Sequence, residues 1–400
     1  MSELQYGNPP HTSPDTQQAA AADSLRIRKG VSLSRDAVDA AQEFFESVQQ
    51  PDTELVLFYC SPEYDLPVLA AELKRRFGAT PLIGCTTAGE ITPAGYLKGS
   101  LTGVSISNRD FSVATRRIDH LDSFALKDGE QTADALTTEL KRRANPPTPQ
   151  NTFGFLLIDG LSGREEIVVS AIYRGIGGIQ IFGGSAGDDV RFKTTYLYHD
   201  GAFHTNCAVF SLIQTSLPFT VFKTQHFVDS TEKLVVTEAD PERRIVSEIN
   251  GAPAGREYAR IVGLDVDKLT PLIFATYPVV VKIGGDFYVR SIQKVNEDES
   301  LTFFCAIDEG VVLTVARGVD YVENLSSLFA NVRKRIGEPA LVLGCDCVLR
   351  NIELDQKDLR NDVARILTEN NVIGFATYGE QYNAMHVNQT FTGVAIGSRK

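Results

Sequence analysis

The chain is poor in cysteine and has no long apolar run. Six cysteines among 400 residues are too few for a disulfide framework, and several lie in apolar, strand-like segments, so we expect buried, reduced thiols. No apolar run approaches the length needed to cross a bilayer. The N-terminus lacks the basic start and apolar stretch of a signal peptide. These absences predict a cytoplasmic protein without membrane insertion.

The chain also lacks an excess of positive charge. It carries 39 Lys and Arg against 51 Asp and Glu, a formal net charge of −12. A net negative charge argues against nucleic acid as the main partner, because the phosphate backbone attracts basic surfaces. Hydrophobic residues make up 43% and charged residues 22%, an ordinary globular balance. A length of 400 residues favours two domains.

Several motifs of known chemistry are missing. There is no Gly-x-Ser-x-Gly elbow, no Walker loop and no zinc-protease helix. The run Gly175-Ile176-Gly177-Gly178 follows a predicted helix, whereas a dinucleotide loop follows a strand. The spacing Cys345-Asp346-Cys347 lacks the second cysteine pair that a zinc site needs. Cys85 is a candidate nucleophile, but a buried thiol is the simpler interpretation. We therefore expect that the protein is not an enzyme.

A repeated loop is the main positive signal. The stretch Ile83-Gly84-Cys85-Thr86-Thr87-Ala88-Gly89-Glu90 returns near the C-terminus as Ile373-Gly374-Phe375-Ala376-Thr377-Tyr378-Gly379-Glu380. A shorter version, Phe182-Gly183-Gly184-Ser185-Ala186-Gly187-Asp188, lies between them. Each loop is preceded by an apolar strand and a helical pattern, and is followed by another strand. Three copies with the same flanking order indicate duplication.

The pattern predicts an α/β fold of two domains, built from duplicated β-α-β-β units with mixed sheets and packed helices. Residues 1–24 are rich in Pro, Ser, Thr, Gln and Ala, and are predicted to be a disordered tail. An N-terminal domain is predicted over residues 25–235 and a C-terminal domain over residues 236–400. Ser34 is the predicted N-cap of the first helix.

The chain resembles the FIST family of signal-transduction proteins, which carry an N-terminal and a C-terminal FIST domain. The resemblance rests on residues 83–90, 181–188, 198–201, 374–380 and 386–390. It implies a bacterial sensory module that binds small ligands and reports to kinases or cyclic-dinucleotide enzymes. A stand-alone chain of this length is also similar to the nitric-oxide-sensing haemoproteins of the family. That similarity implies haem b as cofactor, nitric oxide as ligand and a sensor histidine kinase as partner.

A non-covalent haem needs an axial ligand, for which neutral imidazole is the first candidate. His226 is the predicted iron ligand, because period-two spacing places it on the face of an aromatic strand. His204 and His386 are the other candidates, while Cys207 and Tyr196 offer ligands of another type. The remaining histidines lie in segments predicted to be exposed or polar, namely His11, His120 and His199.

The Gly-Glu loops have two interpretations. Their glycines permit tight turns, with Thr and Glu side chains satisfying the turning backbone. Alternatively, they bind a small polar ligand, and the C-terminal copy is favoured because polar residues crowd that region. The predicted ligand-binding residues are Thr377, Tyr378, Glu380, Asn383 and Asn388.

Three hypotheses follow from the sequence. The first is a haem-based nitric-oxide sensor that regulates a histidine kinase. The second is a haem-free module for an amino acid or another small polar molecule. The third is an interaction scaffold, and assembly with further copies of the chain stays open under all three.

Overall fold

The computed structural model of the protein describes residues 27–283 and 285–398. The predicted disordered tail, residues 1–24, and His11 lie outside the described residues. Within them the chain forms three consecutive units of one topology, the third of which carries an insert. No helix in the described ranges is long and apolar enough to cross a bilayer.

The first unit begins with an edge strand and then alternates helices and strands. Its first helix is amphipathic and begins at Asp36, whose side chain accepts hydrogen bonds from the Val38 and Asp39 N–H groups. The N-cap is therefore Asp36, and the prediction of Ser34 is wrong by two residues. The elements are β1 Ile27–Ser32, α1 Ala37–Val48, β2 Thr53–Cys60, α2 Leu66–Phe77, β3 Leu82–Thr86, β4 Glu90–Thr92, β5 Gly95–Leu97 and β6 Leu101–Ser107.

The second unit repeats this order with a longer first helix. A short 3-10 helix, Leu121–Ser123, precedes that helix. The elements are β7 Phe111–Asp119, α3 Leu126–Arg143, β8 Thr152–Ile158, α4 Glu165–Gly175, β9 Ile181–Ser185, β10 Leu197–His199, β11 Ala202–His204 and β12 Cys207–Thr215.

The third unit starts with strand β13, Phe219–Thr224, and is then interrupted by an insert, residues 227–318. The insert forms its own antiparallel sheet with two helices. Its elements are β14 Phe227–Asp240, β15 Ile245–Ile249, β16 Ala252–Pro253, α5 Ala254–Val262, a 3-10 helix Val266–Lys268, α6 Pro271–Thr276, β17 Val279–Ile283, β18 Asp286–Arg290, β19 Ile292–Val295, β20 Leu301–Phe303 and β21 Val312–Gly318.

The third unit resumes after the insert and ends the chain. Its second helical segment is split in two by a turn around Asp358, which has a φ of 52°. The elements are α7 Tyr321–Ile336, β22 Pro339–Cys347, α8 Val348–Gln356, α9 Arg360–Glu369, β23 Val372–Thr377, β24 Glu380–Tyr382, β25 Met385–Val387 and β26 Phe391–Gly397.

The hairpin of each unit belongs to the sheet of another unit. Hairpin β4–β5 of the first unit pairs with β23 of the third, and hairpin β24–β25 of the third pairs with β9 of the second. Hairpin β10–β11 of the second unit pairs with β3 of the first, which closes the cycle. In each unit one strand pair is parallel and the others are antiparallel. The predicted α/β fold with mixed sheets is confirmed.

The three sheets face one common core. Alternate residues of the central strands β2, β8 and β22 point inward, because successive side chains of a strand leave opposite faces. The Tyr59 ring stacks on the Phe375 ring at 4.7 Å, which joins the first and third units. The outward-facing residues of the same strands pack under the helices in three smaller clusters, and the insert has a separate apolar core.

The first glycine of each repeated loop lies within a strand and not in a turn. Gly84, Gly183 and Gly374 occupy equivalent positions beside the parallel neighbour strand. A Cβ atom at Gly84 would lie 2.5 Å from the Phe58 carbonyl oxygen, and one at Gly374 would lie 1.9 Å from the Gly344 carbonyl oxygen. Close approach of two strands requires glycine here, so the turn interpretation is wrong for these three positions.

Candidate functional site

The three repeated loops meet in space, which the sequence alone did not place. The Ala376 N–H donates to the Gly89 carbonyl at 2.7 Å, and the Ala88 N–H donates back to the Ala376 carbonyl at 3.0 Å. These bonds join the first and last loops directly. They continue the pairing that the exchanged hairpin begins.

The middle loop bonds to both of the others. The Gly187 N–H donates to the Thr86 carbonyl at 2.9 Å, and the Ser185 N–H donates to the Gly379 carbonyl at 2.8 Å. The carboxyl ends of three strands therefore form one continuous hydrogen-bonded centre. Most backbone groups of this centre are satisfied by the other loops, as buried backbone must be.

In the first loop the buried carboxylate is fully bonded. The Thr87 hydroxyl donates to Glu90 Oε1 at 2.5 Å, and the Ser100 hydroxyl and N–H donate to Glu90 Oε2 at 2.7 and 3.1 Å. Burial raises the pKa of Glu90 to about 7, although these three hydrogen bonds oppose the shift. The first loop is therefore a closed structural element.

Glu90→Gln is expected to change how stability depends on pH. A carboxyl whose pKa rises from 4.5 to about 7 on folding contributes stability below pH 4.5 that is lost as the pH rises through 7. Between pH 5 and pH 8 the Glu90 carboxyl should therefore lower the wild-type free energy of unfolding by about 2 kcal/mol. Urea unfolding at both pH values should show that this decrease is missing in Glu90→Gln. An unchanged pH dependence in the variant would contradict the assignment.

The last loop bonds its carboxylate less completely than the first loop does. The Thr390 hydroxyl and N–H donate to Glu380 Oε2 at 2.7 and 3.0 Å, as Ser100 does in the first loop. However, the Thr377 hydroxyl lies 2.7 Å from the Ser185 carbonyl and does not reach Glu380. Glu380 Oε1 is buried and accepts no hydrogen bond from an N–H or hydroxyl group of the described residues. Burial raises the pKa of Glu380 well above its ordinary value, although hydrogen bonds from Thr390 and from the Cys347 thiol oppose the shift.

Two further predicted ligand-binding residues support the loops. The Tyr378 hydroxyl hydrogen-bonds to the Asp188 carboxylate, and its ring stacks on Phe192 at 4.7 Å. Asn383 lies at the tip of hairpin β24–β25 with a φ of 54°, and its N–H donates to the Ile181 carbonyl at 2.8 Å. The structure therefore does not gather the five predicted residues at one point. Thr377, Tyr378 and Asn383 hold the backbone in place.

Hairpin β24–β25 differs from its two counterparts in one cross-strand pair. Ile91 faces Tyr96 in the first hairpin, and Tyr198 faces Phe203 in the second. These pairs are equivalent because Ile91 and Tyr198 pair with the strand glycines Gly374 and Gly84. Both pairs are apolar or aromatic. The corresponding pair of the third hairpin, which pairs with Gly183, is polar.

That polar pair is Gln381 and His386, and both side chains are buried. Gln381 Nε2 lies 3.4 Å from His386 Nδ1, a contact that matches the neutral tautomer with its ring hydrogen on Nε2. Gln381 Oε1 and His386 Nε2 have no partner among the described residues, and neither does Nδ2 of the buried Asn388. A Cβ on Gly379 would lie 2.7 Å from His386 Nε2 and 3.2 Å from Asn388 Nδ2. Two free donors therefore lie side by side next to the Gly379 Cα.

The insert covers this cluster. The Ser291 N–H lies 3.4 Å from Asn388 Oδ1, and the Ser291 hydroxyl is buried without a partner in the described ranges. Arg290 Nη1 donates to the His386 carbonyl at 3.1 Å. Gln389 Nε2 donates to the Phe274 carbonyl at 3.3 Å. We define Gln381, His386, Asn388 and Ser291 as the polar cluster.

Charged groups surround the polar cluster on the side of helix α4. The imidazole of His386 is influenced by Glu165, Glu166, Arg244 and Arg290. Burial lowers the pKa of His386, and the two arginines add to this effect while the two glutamates oppose it. The lowered pKa favours the neutral imidazole at pH 7, and in the tautomer that accepts from Gln381 the Nε2–H group is a hydrogen-bond donor. Two positive and two negative groups leave the surroundings without a net charge.

Both ring nitrogens of His226, the histidine predicted as the iron ligand, are hydrogen-bonded to protein side chains. His226 is buried, and its Nε2 donates to Glu353 Oε2 at 2.7 Å. Arg350 Nη1 donates to His226 Nδ1 at 2.8 Å. Neither ring nitrogen is free to bind iron while these bonds hold. Burial lowers the pKa of His226, with Glu353 opposing and Arg350 adding to the shift.

The other two candidates do not offer a haem setting either. His204 is half-buried, and its Nε2 lies 2.7 Å from Arg117 Nη1. His386 has a free nitrogen, but it lies among polar side chains, whereas haem needs an apolar slot. Among the described residues no group of three or more His, Cys, Asp or Glu is placed to hold a metal. These residues do not fit haem, and we derive no step through it.

The sequence-based prediction missed the insert side of the site. Ser291, Arg244 and Arg290 come from a segment without any repeat signal. The polar pair Gln381 and His386 could have been found by aligning the three hairpins, because only the third copy breaks an apolar pattern. That comparison needs the cross-strand register, which the structure provides.

Comparison with known proteins gives two family matches. A family model described as the FIST N domain matches residues 54–252, and one described as the FIST C domain matches residues 254–383. No curated protein matches the chain. A solved structure described as "Cyanuric acid hydrolase: evolutionary innovation by structural concatenation" is 9% identical with a TM-score of 0.36, covering 94% of this chain and 100% of that chain. At that score the likeness supports no conclusion about this chain.

The two family matches meet at residues 252–254. The boundary predicted near residue 235 stays a prediction, and that residue lies within strand β14.

Proposed function

This chain belongs to the FIST family of sensory domains that bind small ligands, and from that premise we propose that it senses a small polar molecule bound in the polar cluster. The observation that carries the proposal is the polar pair Gln381 and His386 at a position that two internal copies fill with apolar pairs. We further propose that the chain acts as a binding module and not as an enzyme.

The unpartnered atoms of the polar cluster indicate which hydrogen-bonding groups the ligand must carry. A buried polar atom without a hydrogen bond destabilises a fold by about 1–3 kcal/mol, so its retention favours a role with a ligand. His386 Nε2 and Asn388 Nδ2 are adjacent donors and would receive a carbonyl or carboxylate oxygen. Gln381 Oε1 is a free acceptor for an ammonium or amide N–H. A ligand with both groups and no net charge, such as an amino acid, matches these demands.

Replacing the free donors with apolar groups of similar shape is expected to remove ligand binding without harming the fold. His386→Phe and Asn388→Leu each delete one unpartnered nitrogen, and with it only one long contact of 3.4 Å, to Gln381 Nε2 or to the Ser291 N–H, so the melting temperature should change little. Each deletion should weaken binding by at least about tenfold, the equivalent of one lost hydrogen bond of about 1.4 kcal/mol.

The measurement is a thermal-shift screen of amino acids, their amides and small carboxylates, followed by calorimetry of the hits. Asn383→Gly is the matched control, because Asn383 lies on the same hairpin and glycine tolerates its positive φ. The control should bind like the wild type. A hit that binds equally to all four proteins, or the lack of any hit, would refute the site.

The haem hypothesis stays a prediction. The occupied nitrogens of His226 give it no support, and His386 would need an apolar neighbour that the polar cluster does not offer. An absorption spectrum after haem reconstitution tests it, and a Soret band that shifts with nitric oxide would reinstate it.

We propose that a partner protein, such as the sensor histidine kinase implied by the family resemblance, receives the ligand-dependent signal.

A further inference from the structure

The polar cluster is closed off from solvent. Gln381, Asn388 and Ser291 have no exposed surface, and His386 is 2% exposed. A ligand cannot reach these atoms unless part of the protein moves. Because Ser291 belongs to the insert and the others to the third unit, the boundary between the two bodies runs through the cluster.

The insert has the features of a body that can move as one piece. It has its own apolar core, which includes Leu234, Tyr258 and Leu313. Two adjacent chain segments connect it to the third unit, and the Val319 N–H donates to the His226 carbonyl between them at 2.7 Å. A domain with its own core and a narrow connection moves by default unless a large apolar interface fixes it. The apolar cluster that the insert shares with the other units receives only Ala275 and Phe304 from the insert.

The insert contacts the second unit through one aromatic pair, the Phe304 and Phe192 rings at 6.0 Å, and through polar bonds centred on one arginine. Arg244 Nη2 lies 2.6 Å from Glu165 Oε2 and 2.8 Å from Glu166 Oε2 at the start of helix α4. Its Nη1 donates to the Phe304 carbonyl within the insert at 2.7 Å. The Ala306 N–H adds one bond to Glu166 Oε1 at 3.0 Å. The bonds made by Arg244 and Ala306 are polar, and Glu165, Glu166 and Arg244 lie near enough to His386 to shift its pKa.

We propose that the insert is a hinged cover that opens at the Arg244 contact to admit the ligand and is held closed when the ligand joins Ser291 to His386 and Asn388. This inference rests on the proposed ligand site. It adds the regulation of that site, because ligand occupancy would set the position of the insert and so the surface shown to a partner. The hinge lies at residues 225–226 and 319, where both connecting segments meet.

The reactivity of the Cys305 thiol measures how often the insert opens, and this measurement needs no ligand. The thiol is buried in the apolar core of the insert, next to Ala306, whose N–H bonds to Glu166, and Arg290, Glu166 and Arg244 influence its pKa. Cys85 is buried in the common core and serves as the internal reference. The experiment measures the labelling rate of both thiols by Ellman's reagent at pH 8.5, with peptide mass spectrometry to assign each site. In the wild type, Cys305 should label faster than Cys85 and with a weaker dependence on urea.

Arg244→Met is expected to raise the labelling rate of Cys305 by about tenfold or more and to leave Cys85 unchanged, since losing two ion pairs favours the open state. Burial raises the pKa of Cys305 to about 11, and Arg244 counteracts this rise. Loss of Arg244 alone would therefore slow labelling, so faster labelling reports opening. Arg256→Met is the matched control, because it removes an exposed ion pair with Glu299 inside the insert.

Glu165→Gln with Glu166→Gln tests the same contact from the other side if Arg244→Met does not fold. Equal labelling rates for Cys305 and Cys85 in all variants would overturn the hinged insert, whatever the ligand screen gives. A hit from the screen that binds without slowing Cys305 labelling would overturn the link between ligand and closure. Fast labelling of Cys305 with no hit would refute the proposed ligand class and leave the hinge standing.

Discussion

Gly374→Ala is expected to destabilise the protein by about 3 kcal/mol or more and to reduce its soluble yield sharply. The added Cβ would lie 1.9 Å from the Gly344 carbonyl oxygen and 2.7 Å from its carbonyl carbon. Both are backbone atoms of the neighbouring strand β22, which cannot rotate away as a side chain can. Relief requires the parallel pair β22–β23 to separate, and this pair supports both the common core and the last loop.

Gly318→Ala is the control for this prediction. A Cβ there would have its nearest neighbour at 3.8 Å, an ordinary van der Waals contact, and Gly318 also lies in a strand. Its free energy of unfolding should stay within about 1 kcal/mol of the wild-type value. Urea titrations of both variants provide the measurement. If Gly374→Ala were as stable as Gly318→Ala, the close approach of the two strands would be wrong.

Arg350→Met is expected to lower the free energy of unfolding by about 3–5 kcal/mol. Arg350 is 1% exposed, and its Nε donates to Asp346 Oδ1 at 2.6 Å while its Nη1 reaches His226. The guanidinium also lies over the Tyr321 ring at 4.2 Å. Methionine fills much of the volume but leaves the Asp346 carboxylate buried without its counter-charge. The remaining neighbours of that carboxylate are the Tyr96 and Tyr321 hydroxyls.

A double variant separates this charge effect from packing. Arg350→Met combined with Asp346→Asn should lose less stability than the sum of the two single changes, because the buried charge is removed together with its partner. Arg333→Met, whose ion pair with Glu338 is exposed, should change stability by less than about 0.5 kcal/mol. Additive losses in the double variant would mean that Arg350 and Asp346 do not act as a pair.

The Arg350 network also bears on the haem hypothesis. It joins Asp346 in the third unit to His226 at the base of the insert, and continues through Glu353 to Lys357 at the surface. Each nitrogen of the His226 ring is used to hold this chain of bonds. The histidine that looked most like a cofactor ligand is therefore bonded as a structural residue.

The internal copies provide a comparison that a single sequence seldom offers. Three hairpins share one backbone geometry, so differences between them isolate what the side chains add. Two hairpins present apolar pairs to the helices that cover them, and the third presents Gln381 and His386. That exception coincides with the contact made by the insert. In the proposed site the repeated hairpin provides the backbone, and the Gln381 and His386 side chains provide the polar groups that would contact a ligand.

The sequence by itself determined the repeated units and the mixed α/β class. These features depend on local patterns: apolar alternation, helix periodicity and the recurrence of glycine and glutamate at fixed spacing. It also marked the polar crowding around residues 380–390, because that signal lies in one continuous stretch.

Only the tertiary structure decided which polar residues belong together. Hairpin exchange between units, the cover formed by Ser291 and Arg290, and the bonding of His226 to Arg350 all join residues far apart in the chain. Side-chain hydrogen bonds over such distances follow from how units pack, and local patterns do not encode them. For the same reason Thr377 and Tyr378 proved to bond to the middle loop, while Gln381 and His386 were left with free atoms.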